Sequence, residues 1–438
     1  MERSETRREF FRTLAAGAAA ATVLPNARPA AAQTTQKREL VVAQGGDISK
    51  FDPHYSTAAN DIRVSFNIYD NLVSRHPDDK LYPGLATEWK ATAPTAWQFK
   101  LRSGVRFHNG DPFTSADVKF SLERTYDPAA KTLVATVFTT IGRIETPDPQ
   151  TVVIHTKQPD PLLPARLAFY GGQMIPKKYL EQVGPDQFNA KPVGTGPVRL
   201  ASWIKDDKAV LEANSDYWGG KIDVDRVVFR SIPEIAARVA ALLKGEIDAM
   251  VALTADHYDR VNQHPTTSAK GALYAGLYVL GVNSKVAPFN NPLVKQAMSL
   301  AVDREAIVKD LWRARGIVPN GPIAKGDNHY DESLPPLRYD PKEARERLRK
   351  SGYKNEPIYI ETTAGYMAND KPMSETIAAM WKDIGLNAVV EVIEVSVRAQ
   401  KNRERTFKGT WWSDPTSTLR DPDGMMWRLL SPGGIQDY

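Results

Sequence analysis

Phe99-Lys100-Leu101-Arg102-Ser103-Gly104-Val105-Arg106-Phe107-His108-Asn109-Gly110, followed by Thr114-Ser115-Ala116-Asp117-Val118-Lys119-Phe120-Ser121-Leu122-Glu123-Arg124, is the stretch on which the fold turns. Phe99, Leu101, Val105 and Phe107 alternate with polar residues and fit strand faces. Asn109-Gly110 is a tight-turn signal between strands. Thr114 or Ser115 then offers a hydroxyl to cap a helix running to Tyr126, with Val118, Phe120 and Leu122 on its apolar face. A strand pair that turns directly into a helix belongs to a mixed α/β chain.

Outward from there the same alternation continues. Residues 39–43 read as a short buried strand ending at Gly45-Gly46, and 62–72 carry apolar residues at helical spacing. Residues 151–156, 195–203, 208–213 and 227–232 read as strands. Residues 234–243 read as a helix stopped by Gly245. This mixing predicts an α/β fold with mixed sheets rather than a bundle or a sandwich.

The 438 residues suggest two or three domains at roughly 150 residues each. Net charge is +5, with no concentrated basic stripe, which argues against nucleic acid as a partner. There is no cysteine, so disulfides, thiol nucleophiles and thiolate metal sites are excluded together. No Gly-x-Ser-x-Gly elbow, His-Glu-x-x-His pair or P-loop is present. Gly194-Thr195-Gly196-Pro197 lacks a third glycine, and Pro197 removes an amide that a phosphate would need; it reads as a structural turn. The seven histidines are scattered, and none has metal-ligand spacing to another. No catalytic residue, metal or cofactor is expected.

Residues 1–32 have the layout of a signal peptide. Arg7-Arg8 is followed by Phe10-Phe11, then an alanine-rich apolar run to Leu24, then Ala30-Ala31-Ala32 as a small-residue cut. The apolar run is too short to span a bilayer, and the paired arginines resemble a twin-arginine export signal. The expected product is a soluble periplasmic protein without a lipid anchor.

Several blocks, in order, resemble the extracytoplasmic solute-binding proteins of peptide and nickel importers, family 5. They are Pro83-Gly84-Leu85-Ala86-Thr87-Glu88-Trp89, the 99–124 stretch, Pro192-Val193-Gly194-Thr195-Gly196-Pro197 and Asn214-Ser215-Asp216-Tyr217-Trp218-Gly219-Gly220. Leu242-Leu243-Lys244-Gly245-Glu246-Ile247-Asp248, Ala301-Val302-Asp303-Arg304-Glu305 and Tyr339-Asp340-Pro341-Lys342-Glu343-Ala344 follow. The resemblance implies a two-lobed, periplasmic-binding-protein-like fold (type II, with an extra subdomain) and a ligand cleft between lobes that close on the solute. Lobe I would comprise 38–58 plus 190–272, the inserted subdomain 59–189, and lobe II 273–438. The implied function is the substrate-binding component of an ABC importer. It would act as a monomer, capturing a small peptide-like solute and delivering it to the transmembrane permease subunits. Relatives of this pattern continue past the position of Tyr438 with a return to the first lobe, so weakened closure of lobe I is expected.

The resemblance also places the solute. Asp414, in Thr410-Trp411-Trp412-Ser413-Asp414, would pair with an ammonium, and Trp411 or Trp412 would stack on an apolar side chain. Asp421 or Asp423 is the alternative acid. Tyr366 and Tyr55 are further candidate contacts. Gly365-Tyr366-Met367 lacks an arginine found there in many relatives, so a ligand carboxylate loses its bidentate partner. That weighs against simple dipeptides and leaves modified peptides, opines or other amines. Against the importer reading stand a sensor or chaperone on the same fold, which would deliver to a receptor, and a secreted hydrolase, which would need an acid whose loss abolishes turnover.

Overall fold

The computed structural model describes residues 38–272, 276–364, 367–414, 419 and 421–424. The expected signal peptide lies outside the described residues. So do Tyr366, the residues after 424, and the expected lobe boundary at 273. The chain forms two compact units that divide between Leu253 and Thr254.

Unit 1 contains two main sheets. β1 (Glu39–Gln44), β8 (Val198–Ile204), β9 (Lys208–Ala213), β10 (Arg226–Ser231) and β11 (Ala249–Met250) form a five-stranded sheet in the order β11-β1-β10-β9-β8. β1 runs parallel to both β10 and β11, while β9 is antiparallel to β10 and β8. α1 (Ala59–Ile68) and α5 (Ile235–Leu243) accompany it. Gly245, with φ +72°, follows α5 in the left-handed conformation that glycine adopts without strain.

The segment between β1 and β8 builds its own layer. β2 (Val73–Arg75) pairs with β3 (Leu81–Pro83). β4 (Ala86–Ala93), β5 (Ala96–Leu101), β6 (Ile141–Asp148) and β7 (Thr151–Thr156) form an antiparallel sheet in the order β4-β5-β7-β6. α2 (Ser115–Tyr126), α3 (Leu163–Leu167) and α4 (Lys177–Ala190) complete the segment. Phe99, Leu101, Val105 and Phe107 all lie in this core, with Val118 and Leu122 of α2. The expected strand over 105–107 is reduced to an isolated bridge between Arg106 and Pro112. Proline has no amide to continue a ladder, so the pairing stops there. The turn itself is present, with the Gly110 amide donating to the Phe107 carbonyl at 2.8 Å. At the start of α2 Thr114 and Asp117 form a capping box in which the Thr114 amide donates to Asp117 Oδ2 at 2.9 Å; Thr114 is one of the two caps the sequence offers, and the Asp117 half is added by the structure.

The Gly194-Thr195-Gly196-Pro197 turn packs on the C-terminus of α1. The Gly196 amide donates to the Ile68 carbonyl at 2.8 Å. A Cβ on Gly194 would overlap the Ile68 carbonyl oxygen, and one on Gly196 that of Asn67, so no larger residue fits either place. Thr195 donates to buried Asp70 at 3.0 Å, and Trp218 Nε1 donates to the same oxygen at 2.8 Å.

Unit 2 begins with α6 (Ala255–Gln263). It continues through β12 (Val279–Val282), α7 (Pro292–Leu300), α8 (Arg304–Asp310), α9 (Pro341–Ser351), β13 (Pro357–Thr362), α10 (Asp370–Asp383), β14 (Asn387–Val392), α11 (Val395–Glu404) and β15 (Thr410–Ser413). α6 is tied to this unit by Asp256–Arg313 and Asp259–Arg315 pairs, both 2.8 Å, with the Arg315 guanidinium 3.8 Å over the Tyr258 ring. The sheet order is β12-β15-β13-β14; β12 is antiparallel to β15, while β13 is parallel to β15 and β14. The core sets Ile358 and Ile360 of β13 against Ile377, Ala378 and Trp381 of α10.

Candidate functional site

The loop after β1, which carries Tyr55, is fastened at three points. Asp61 of α1 accepts from the Ser49 amide at 2.8 Å and from the Ser49 and Ser56 hydroxyls, each at 2.5 Å. Asn189 Oδ1 accepts from the Phe51 amide at 2.9 Å. Arg124 of α2 grips Asp52 with both arms, Nη1–Oδ1 at 3.0 Å and Nη2–Oδ2 at 2.6 Å. Nη1 also lies 3.1 Å from His54 Nδ1, and His54 Nε2 lies 3.1 Å from the Gln173 carbonyl. A guanidinium only donates, so Nδ1 accepts and the proton sits on Nε2. His54 is therefore neutral, and burial, partly opposed by Asp52, lowers its pKa to about 4. The Tyr55 ring lies 4.9 Å from the Arg124 guanidinium carbon, and its hydroxyl donates to the Ala130 carbonyl at 2.5 Å.

In unit 2, β15 carries Trp411, Trp412 and, just past its end, exposed Asp414. The two tryptophans are 2% and 6% exposed. Trp412 belongs to the unit 2 core, and its Nε1 donates to the Ser374 hydroxyl at 2.7 Å. Trp411 stacks on Phe407 at 4.7 Å, with 5° between the rings. It lies opposite Gly281 of β12, where a Cβ would come within 2.8 Å of the indole. Stacking on a solute side chain was expected of these rings; here both are packed inside the protein and fix the strand that leads to Asp414.

Beside Trp411 on the sheet is Glu361 of β13, whose side chain is fully buried. It receives the Lys401 ammonium at 2.7 Å and the Lys408 amide at 2.6 Å. Lys408 extends its own ammonium to Glu391 at 2.8 Å. Glu361 thereby pins the turn that enters β15. The sequence reading passed it over, because an isolated Glu in a strand gives no local sign that it is buried. Asp421 lies in the same unit, with Oδ2 3.4 Å from His329 Nε2 and Oδ1 accepting from the Asp423 amide at 3.0 Å. Among the described residues no group of three or more His, Cys, Asp or Glu is placed to hold a metal. No helix among them is long and apolar enough to cross a membrane.

Known proteins match this chain over most of its length. Residues 80–437 match the family described as bacterial extracellular solute-binding proteins, family 5 Middle. The periplasmic oligopeptide-binding protein OppA of Haemophilus influenzae is 27% identical, over 81% of this chain and 71% of that one. Among solved structures, the periplasmic binding protein DppA from Helicobacter pylori, in complex with the peptide STSA, has a TM-score of 0.82 at 27% identity. The match covers 90% of this chain and 81% of DppA. The binding protein AgaA from A. tumefaciens R10, in complex with agropinic acid, has a TM-score of 0.79 at 27% identity, covering 89% and 79%. The α/β fold with mixed sheets is theirs, and the family is one of binding proteins rather than enzymes. This chain belongs to the bacterial extracellular solute-binding proteins of family 5.

Proposed function

We propose that this protein captures a peptide or peptide-like solute outside the cytoplasmic membrane and passes it to the transmembrane subunits of an ABC importer. The family match over residues 80–437 carries the reading. Two relatives are named for, or were solved with, peptides, and one was solved with agropinic acid, an opine. The 1–32 segment would send the chain to the periplasm by the twin-arginine route, where it would act as a monomer.

Asp414 is the proposed acceptor of the solute's ammonium, delivered by a strand that Trp411, Trp412 and Glu361 immobilise; Asp421 is the second acid of the region. Preorganisation of this kind lowers the ordering cost of binding. Tyr55 would offer its ring, since its hydroxyl already bonds Ala130. Tyr366 completes the contact set.

A thermal-shift screen against dipeptides, longer peptides, glutathione, opines and nickel complexes tests the reading. A true ligand at 100 times its Kd adds about 2.7 kcal/mol of stability. A cooperative melt unmoved by every peptide and opine would sink it.

A further inference from the structure

The connection from β5 to α2 reverses at Ser103-Gly104, with Gly104 in the left-handed region at φ +76°. This reversal, the returning chain from Pro112 to Thr114 and the Pro149-Gln150 turn between β6 and β7 line a cavity of about 210 Å³. Ser103, Gly104, Arg106 and Gln150 are exposed, so solvent and solutes reach it. Two arginines, Arg102 and Arg106, belong to its wall, and no Asp or Glu does.

The wall carries spare donors on fixed groups. The Arg102 guanidinium carbon lies 4.4 Å from the centroid of the Trp218 ring, and Nε and Nη2 both donate to the Gly84 carbonyl at 3.3 Å. Arg106 donates from Nη1 to the Gly110 carbonyl at 2.8 Å. Arg102 Nη1, Arg106 Nε and Arg106 Nη2 have no partner among the described residues, and neither arginine is in an ion pair there. Ser103 Oγ accepts from Gln150 Nε2 at 2.9 Å, which leaves its own O–H free to donate. The amides of Ser103 and Gly104 are likewise without a partner among the described residues. The carboxylates that flank the cavity in sequence are already engaged. Asp111 takes Asn109 Nδ2 at 2.9 Å and the Lys178 ammonium at 3.3 Å, Asp117 takes Thr114 and the Lys177 amide, and Asp148 takes the Gln150 amide at 2.8 Å.

We propose that this cavity is a binding site for a phosphate group, carried either by free phosphate or by the headgroup of an anionic lipid. Guanidinium, hydroxyl and amide donors in one place match a ligand that only accepts. A tetrahedral oxyanion presents oxygens in several directions, so both arginines and the Ser103-Gly104 turn can bond to it at once, whereas one guanidinium fork already fills the two oxygens of a carboxylate. Trp218 and the Gly84 carbonyl hold Arg102 in place beforehand, which lowers the ordering cost of binding. The cavity shares no residue with the proposed solute contacts, so it stands or falls apart from that reading.

The test uses the full chain at low ionic strength, where exposed charges are least screened. One arm is calorimetric titration with inorganic phosphate, and with acetate as the carboxylate control. The other is sedimentation with vesicles of phosphatidylglycerol against vesicles of phosphatidylcholine. Saturable phosphate binding with a Kd of about 1 mM or tighter is expected, at least tenfold tighter than acetate. Arg102→Gln and Arg106→Gln are each expected to weaken it by about tenfold or more. Arg106 is exposed and touches only a turn carbonyl, so Arg106→Gln keeps the test decisive should loss of the Trp218 contact unfold Arg102→Gln. Selective sedimentation with phosphatidylglycerol that Arg106→Gln abolishes also supports the site and names a lipid headgroup as the source. Acetate binding as tightly as phosphate, no binding in either arm, or binding that Arg106→Gln leaves intact overturns the proposal.

Discussion

Each unit buries a charge beside the chain segment it must hold, and they do so differently. Unit 1 fixes the loop after β1 with a two-armed Arg124–Asp52 pair topped by a neutral His54. Unit 2 fixes the entry to β15 with Glu361, a single ammonium and a backbone amide. The guanidinium fork fills both oxygens of its partner and fixes orientation; it needs no water. The ammonium is a point charge on a flexible stem, and the Lys401 side chain keeps 19% of its surface exposed. Unit 1 should therefore be brittle where unit 2 gives way gradually.

The largest test of that contrast is Arg124→Met. It leaves Asp52 buried without its partner and removes the donor to His54, so a loss of about 3–5 kcal/mol is expected. Arg124→Lys should recover little of it, since one ammonium cannot replace both arms and the His54 contact. Urea unfolding followed by circular dichroism reads both; recovery of most of the loss by lysine would show that the fork does not matter.

Acid comes next. His54 and His108 both sit neutral in unit 1, each with a pKa lowered to about 4 by burial. His108 Nδ1 accepts from the Gly194 amide at 3.2 Å, and its Nε2 lies 3.0 Å from the Gly196 carbonyl. Because the unfolded chain takes up protons near 6.5, it holds more of them than the folded one between 6.5 and 4. Stability is then full above 6.5, falls through that window as pH drops, and flattens below it. Each histidine contributes up to roughly 3 kcal/mol to the fall. Melting temperatures at pH 7.5 and 4.5 measure it, and a flat profile would contradict the tautomers assigned here.

Glu361→Gln is the gentlest change. The amide oxygen still accepts from Lys408, but the Lys401 ion pair is lost, so about 1.5–3 kcal/mol is expected. A cost equal to that of Arg124→Met would erase the distinction between the units.

The stretch from Phe99 to Arg124 was legible because its signals are local: alternation, an Asn-Gly turn and a capping Thr114. The 194–197 turn was legible for the same reason, its proline and glycines allowing little else. The burial of the tryptophans was not. It depends on Phe407, Gly281 and Ser374, and the last two lie far along the chain. The membership of α6 in unit 2 rests likewise on arginines about fifty residues on, at 313 and 315.

The parallel pairing of β1 has a consequence in time. Glu39 faces Arg226, 187 positions later, and Val42 faces Ala249. At about 5–20 residues per second of synthesis, the first strand waits on the order of ten seconds or more for its neighbours to exist. During that interval its Leu40, Val41 and Val42 are an open edge that other chains could join. The sheet that comes first in sequence can close only late, and whatever handles the nascent chain must shield it until then.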